Sequence, residues 1–415
     1  MGQFSYAVKD RGDGSAARGR FRSPCASFTR NLLFRPANHW DHRPLTPLAR
    51  RLRIAFYAPL KAPTHPVPSG DRLMAQLLMR CLEQSGHQVD LASYLRAYLN
   101  DPQDKADWAK LRAHADDESA RISTLWADQP PDLWLCYHPY YKAPDLIGPR
   151  LAHHFALPYV TVEASLSARR DVGIWAEMQA SVTAAVRQAS LNLCLTTRDM
   201  EGLIEAAPNA HVSRFPPFIE TDAFSAPATP QLGHMVTVAM MRAGDKTDSY
   251  RRLAATLALL PLQLNWHLTV VGDGPQRAEV QAMFALLPSD RLTWLGQQSR
   301  PEIAATLARA SAYIWPGCGE AYGLAYLEAQ AAGVPVIAQR TAGVPEVVAD
   351  GESGFLTEPG NDAAAAAATL RLLTNPSLQH RMGQDARLRV LRDHSITGAA
   401  QRLNTLLQTI VEARA

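Results

Sequence analysis

The sequence predicts an α/β protein of two domains, each built on a parallel sheet, and three features carry that prediction. The chain has 415 residues, more than a single hydrophobic core ordinarily encloses. Short β-branched and aromatic runs alternate with longer stretches of helical composition, first over residues 52–215 and again over 234–357. Between the two series, residues 216–233 contain Pro216, Pro217, Pro227 and Pro230 and show little period, as a linker would. The resulting division is a basic tail (1–51), an N-terminal Rossmann-like domain (52–222), a linker (223–233), a C-terminal Rossmann-like domain (234–396) and a final helix (397–415).

The folded body begins at Leu52, and Arg53-Ile-Ala-Phe-Tyr57 reads as its first strand. A proline-rich loop follows to Gly70, and Asp71 is placed to cap a helix over 72–84 that Gly86 ends. Strands are then expected at 88–91, 133–137, 159–162, 191–196 and 212–215, with helical sequence from the second strand to about residue 127. The second series places strands at 235–240, 268–271, 292–295, 312–315, 334–338 and 355–357. An alanine run at 363–368 is read as helix. A helix over 397–413 carries Leu403, Leu406, Leu407 and Ile410 at helical spacing.

Charge is distributed unevenly. Residues 1–53 hold Lys9 and ten Arg against Asp10, Asp13 and Asp41, a formal +8, which leaves −5 for the rest of a chain whose net charge is +3. That segment reads as a disordered tail, with a basic contact to anionic lipid or a transit peptide as alternatives. No apolar run reaches the ~18 residues that would span a bilayer. Cys25, Cys81, Cys136, Cys194 and Cys318 are scattered, with no C-x-x-C and no Cys/His metal spacing, so they read as reduced cytosolic thiols. The expected location is cytoplasmic, with peripheral contact at the inner membrane face as the further option.

The most informative stretch is Glu320-Ala-Tyr-Gly-Leu-Ala-Tyr-Leu-Glu328. The run before it, 311–316, is strand-like, and Gly323 can open a helix that Gly333 and Pro335 stop. Glu320 then sits in a loop above a strand end. Glu328 sits on the second helical turn, roughly 7 Å along the axis from Gly323. Free N–H groups at the helix start, beside Leu324, would face an anion, with one carboxylate near it and the other within reach of a diol. A nucleotide diphosphate carrying a sugar at each end fits that arrangement. Arg242 and Lys246 follow another strand end, where α/β sheets bind ligands; they read as electrostatic catalysts for a departing phosphate or as a solvated basic loop. Gly272-Asp-Gly-Pro275 is a tight turn in any reading. Gly70, just before a capped helix, would let backbone N–H groups approach phosphate or sugar, or is a plain turn glycine. His138, in Cys136-Tyr-His-Pro-Tyr-Tyr-Lys142, follows a strand end among aromatic residues suited to a sugar face. His153 and His154 read as surface or packing residues, and Glu346 as a helix-start acid or a site residue. Asp245 and Asp273 stand alone, so no Asp-x-Asp metal cluster is expected in the second domain.

These motifs, in this order over about residues 234–360, resemble the retaining GT-B glycosyltransferases of family 4 (glycosyltransferase group 1). The resemblance includes Gly343-Val-Pro-Glu-Val347 and Gly351-Glu-Ser-Gly-Phe355, and is looser in the N-terminal half, at Ile54–Pro59 and Pro68-Ser-Gly70. It implies two Rossmann-like domains facing across a cleft, with the last helix packing back on the N-terminal domain. It also implies transfer of a sugar from a nucleotide-diphosphate donor to an acceptor hydroxyl, with retention, without a metal ion and with no further cofactor. Arg242, Lys246 and Glu320 would be catalytic. Gly70, Gly272, Gly274, Leu295, Gly323, Leu324 and Glu328 would bind the donor, with Leu295-Gly296 lining the base pocket. His138 and Glu163 would contact donor sugar or acceptor. Glu163, in Thr161-Val-Glu-Ala-Ser-Leu166, departs from the pattern, because many relatives carry histidine there. A lipid-linked glycan, lipopolysaccharide, protein or small molecule would all serve as acceptor; nucleic acid is not expected as a partner. Two other readings stay open: a non-catalytic subunit that binds a nucleotide sugar, and a GT-B sugar-nucleotide epimerase or phosphorylase. A dinucleotide dehydrogenase is disfavoured, since Gly272-Asp-Gly lacks the full G-x-G-x-x-G fingerprint.

Overall fold

The computed structural model describes residues 50–226 and 228–414; the expectations for the basic tail, and for Cys25 within it, lie outside the described residues. Among the described residues, twelve strands form two sheets. The first contains β1 (Arg53–Tyr57), β2 (Gln88–Leu91), β3 (Leu133–Tyr137), β4 (Tyr159–Val162), β5 (Leu191–Cys194) and β6 (Val212–Arg214), in the order β2-β1-β3-β4-β5-β6. The second contains β7 (His234–Val238), β8 (His267–Val271), β9 (Leu292–Gly296), β10 (Ala312–Ile314), β11 (Val336–Gln339) and β12 (Gly354–Thr357), in the order β12-β11-β10-β7-β8-β9. Every pairing within both sheets is parallel, with Tyr57 opposite Cys136 and Tyr137 opposite Val162 in the first. A parallel sheet covered by helices on both faces needs apolar residues on both, and β3 and β4 are accordingly buried at every position.

Strand order locates the ligand-binding ends. In the first sheet the chain reverses its direction of growth between β1 and β3, and in the second between β7 and β10. Open parallel sheets bind ligands beyond the carboxyl ends of their strands at such switch points. The loops concerned follow β1 (Lys61, Gly70), β3 (His138), β7 (Arg242, Lys246) and β10 (Glu320).

Several element ends differ from the sequence expectation, each for a local reason. Asp71 does not cap the first helix. Ser69 does, accepting from the Arg72 amide at 3.2 Å, so the helix runs Gly70–Gln84 and Asp71 lies in its first turn. β5 stops at Cys194 because Thr196 caps the next helix, accepting from the Asp199 amide at 3.0 Å. β9 extends to Gly296 through a register shift opposite Val271.

The Ile396–Glu412 helix buries Ala399, Ala400, Leu403 and Leu407 and packs against the Gly70–Gln84 helix of the first sheet's half. Ser85 Oγ donates to the Ala400 carbonyl at 3.1 Å, and Ile219 bridges to Ser395. No described helix is long and apolar enough to cross a membrane.

Candidate functional site

The β7–α connection and the loop after β10 meet at a single ion pair. Lys246 Nζ donates to Glu320 Oε2 at 2.6 Å, with the two side chains 20% and 22% exposed. The same ammonium lies 5.5 Å above the centre of the Trp315 ring. Lys246 is in the first turn of the Asp245–Ala258 helix, so its charge sits beside that helix's unpaired N–H groups. Arg242 is exposed and forms no ion pair among the described residues.

Below Arg242 lies the Gly272-Asp-Gly turn. The Met241 amide donates to the Asp273 carbonyl and the Gln276 amide to the Met241 carbonyl, each at 2.9 Å. A side chain at Gly272 would place its Cβ 1.9 Å from the Ala239 carbonyl oxygen, and one at Gly274 would sit 2.2 Å from that of Met241. Both glycines have positive φ, 140° and 156°. They are therefore required by backbone approach, and the turn they form fixes the loop that carries Arg242.

Gly323, at φ 79°, precedes the Leu324–Ala331 helix, and Leu324 is its buried first residue. Glu328 is 13% exposed, and burial pushes its carboxyl up to about 7 against the opposing pull of Arg300, whose Nε lies 4.0 Å away. Arg300 opens the Arg300–Leu307 helix and also pairs with Glu220. Sequence reasoning did not single out Arg300. Its signal was available in Ser299-Arg-Pro-Glu302, a capping box that sets the arginine at a helix start just beyond β9. Leu295, 38% exposed, lines an open groove of about 480 Å³ with Thr269 and Thr293 of the sheet and Thr306 of the Arg300–Leu307 helix. His234 and His267, the first residues of β7 and β8, line it too, so this groove lies away from the carboxyl ends that carry Lys246 and Glu320. Gly70 is exposed, with nothing within 4 Å of where a Cβ would sit.

The first sheet contributes a second cluster. His138 and Glu163 follow adjacent strands β3 and β4, and both adopt positive φ, 57° and 60°. Left-handed backbone at non-glycine residues costs energy and concentrates at functional sites. The His138 amide donates to the Val162 carbonyl and that of Glu163 to the Leu193 carbonyl, both at 2.8 Å, so each bend is hydrogen-bonded in place. His138 Nδ1 lies 3.2 Å from Asp71 Oδ1. Tyr322, buried in the Glu320–Glu328 motif, donates its hydroxyl to Glu163 Oε2 at 3.4 Å. One tyrosine thereby joins the motif loop of the second sheet to the strand ends of the first. Neither Asp71 nor Tyr322 was singled out as a site residue from sequence. His153 and His154 are exposed on the surface.

Burial alone would lower His138, but the Glu163 and Asp71 carboxylates outweigh it and hold the imidazole at about 9. Burial raises Glu163 to about 7 despite His138. A histidine whose folded pKa is raised contributes stability that is complete below about pH 6.5 and lost as the pH rises through about 9. Glu163→Gln removes its largest charge partner. In that variant His138 should titrate at lower pH than in the wild type, read by NMR of the imidazole carbons, and the alkaline loss of melting temperature should shrink. An unchanged titration would remove Glu163 as the source of the shift.

Glu346 links the two halves. Its Oε1 accepts from the Thr197 amide at 2.6 Å, at the start of the Thr197–Ala206 helix, and its Oε2 pairs with Arg214 at the end of β6. Glu346 is a helix-start acid, in the first turn of the Val344–Val347 helix, and its carboxylate also reaches the start of a helix of the other sheet. Glu346→Ala should cost about 1–2 kcal/mol, because the Thr197 amide and Arg214 Nη2 lose their acceptor in a partly buried place, while Arg214 Nη1 keeps the Cys194 carbonyl. A melting temperature equal to wild type would show that the link carries no stability.

Among the described residues, no three His, Cys, Asp or Glu side chains gather as a metal-binding group. In class, the two parallel sheets with these strand-end loops have the GT-B fold. Sucrose-phosphate synthase from Thermosynechococcus elongatus matches with a TM-score of 0.67 at 20% identity, over 88% of this chain and 100% of that one. The Anabaena HepE protein in complex with UDP matches with a TM-score of 0.64 at 15% identity, over 86% and 100%. In sequence, residues 237–389 match the model of the glycosyl transferases group 1. The N-acetyl-alpha-D-glucosaminyl L-malate synthase of Bacillus anthracis is 33% identical over 143 residues, which cover 34% of this chain and 37% of that protein.

Proposed function

We propose that this protein transfers a sugar from a nucleotide-diphosphate donor to an acceptor hydroxyl, with retention at the anomeric carbon and without a metal ion. The observation that carries the reading is the Lys246–Glu320 pair at the second sheet's switch point, beside Arg242, which forms no ion pair among the described residues, and the Tyr322 hydroxyl that joins this loop to Glu163 at the end of β4, next to His138 at the end of β3. Arg242, Lys246 and the N–H groups at two helix starts would balance the charge that develops on the leaving diphosphate. Glu320 holds the Lys246 ammonium. An entering diphosphate would compete for that cation and free the carboxylate toward the donor sugar. Glu328 would accept from a ribose diol, and His138 and Glu163 would hold sugar hydroxyls. Retention rests on the family likeness, and the anomeric NMR signal of the product tests it. The protein would work in the cytoplasm, at the inner membrane face where the acceptor is lipid-borne.

Thermal unfolding against a panel of nucleoside diphosphates in the presence of EDTA tests the reading, with UDP first because a structural neighbour binds it. One nucleotide should raise the melting temperature, since a ligand at 100 times its Kd stabilises the folded state by about 2.7 kcal/mol. Its sugar conjugate should be slowly hydrolysed. No shift with any nucleotide, or shifts that need an added divalent ion, would overturn the proposal or its metal-free part respectively.

A further inference from the structure

The loop between β1 and the Gly70–Gln84 helix collects positive charge that no carboxylate among the described residues pairs with. Lys61 Nζ donates to the Val67 carbonyl at 3.5 Å, Arg72 Nη1 to the Pro66 carbonyl at 3.3 Å, and Arg96 Nε to the Leu60 carbonyl at 3.1 Å. Three cations from three segments are thus tied to the backbone of one loop. Among the described residues none of them forms an ion pair, and neither does Arg242 across the cleft. Asp71, the acid whose charge acts on Lys61, is engaged with His138. Burial lowers the Lys61 ammonium, Asp71 opposes this, and the charges of Arg96, Arg242 and Arg72 push it further down. The guanidinium of Arg96 also stacks 4.7 Å above the Tyr98 ring, which holds it in a defined plane.

Like charges gathered without counter-ions destabilise a fold unless a ligand supplies the opposite sign. The donor does not use them up. The diphosphate diester of a nucleotide sugar carries two negative charges, which Arg242 and Lys246 balance on the other side of the cleft. We infer that Lys61, Arg72 and Arg96 bind a phosphate group on the acceptor. The acceptor is then a phosphorylated molecule, either soluble or a phospholipid headgroup. This inference rests on the glycosyl-transfer reading above.

The test uses the full chain saturated with the nucleoside diphosphate that raises its melting temperature, so that the donor site is filled. Calorimetric titration with inorganic phosphate should still show binding. Lys61→Ala and Arg96→Ala should each weaken it roughly tenfold, the scale of one charge-assisted hydrogen bond. Arg251→Ala, on the outer face of the second half, should leave it unchanged. Lys61→Gln, which keeps the stem, should match Lys61→Ala. A hexose 6-phosphate that binds where the free hexose does not points to a soluble acceptor. Vesicles of phosphatidylcholine that bind only when phosphatidylglycerol is added, and lose binding in the same variants, point to a lipid headgroup. Phosphate binding that disappears once nucleotide is present, or that ignores both variants, overturns the inference. Failure of nucleotide binding itself would instead overturn the reading on which it rests.

Discussion

Lys246→Ala should slow sugar transfer by about 2–4 kcal/mol of barrier, roughly thirty- to a thousandfold, while leaving the fold nearly as stable as wild type. The two halves of that expectation have different sources. The rate effect follows from position: the ammonium lies at the carboxyl end of β7, in the first turn of a helix, where charge would build on the departing phosphate. The small stability effect follows from exposure. Lys246 and Glu320 each keep about a fifth of their side-chain surface in solvent, so water can take over part of the solvation of the carboxylate left behind. Lys246→Ala and Glu320→Gln should also fail to add, since the two groups touch. The measurements are turnover at saturating donor and a melting curve on the same preparation. A variant that turns over at the wild-type rate removes Lys246 from the mechanism. A loss of rate accompanied by an equal collapse of stability would mean that the pair is structural.

Much of this arrangement was legible because parallel α/β sheets write their strands as unbroken apolar runs. Leu133–Tyr137 and Tyr159–Val162 are buried along their whole length, and no other element suits such short runs. Strand ends were less legible, because they depend on competition between neighbours. Ser69 and Asp71 are both good caps; the structure uses Ser69, and Asp71 turns to His138, which lies 67 positions away in sequence. The motif acids were legible as a pattern, but their partners were not. Nothing local to Glu320 announces Lys246, and nothing local to Glu328 announces Arg300. The left-handed backbone at His138 and Glu163 was invisible for a related reason. Without glycine at those positions, a positive φ leaves no mark in composition, and it is imposed by the strands and loops around it. Tyr322 was passed over inside a motif read for its acids, although its hydroxyl is the group that reaches the other sheet.

Glu328→Gln should weaken binding of the nucleotide by about 1.5–3 kcal/mol, roughly ten- to a hundredfold or slightly more, whereas Glu320→Gln should leave it unchanged or tighten it. The difference comes from what each carboxylate holds in the structure. Glu320 occupies the Lys246 ammonium, so neutralising it frees a cation for phosphate and costs the nucleotide nothing; its loss should appear in turnover. Glu328 is nearly enclosed, and its neighbour Arg300 is already shared with Glu220. Burial holds the Glu328 carboxyl at about 7, so the folded protein favours its protonated form below that pH, and the stability this gives is lost as the pH rises from about 4.5 through 7. Two hydroxyls of a ribose diol donate best to the ionised form. Nucleotide affinity should therefore rise with pH up to about 7 and then level off. The intact nucleotide sugar is the proper probe, because its diphosphate diester does not titrate in that range. In Glu328→Gln the pH dependence should vanish together with the affinity, and the empty variant should be at least as stable as wild type above pH 7. Equal affinity loss in both variants would mean that the two acids share one task. A pH slope that survives in Glu328→Gln would assign the titration to another group, with Glu163 the first to examine.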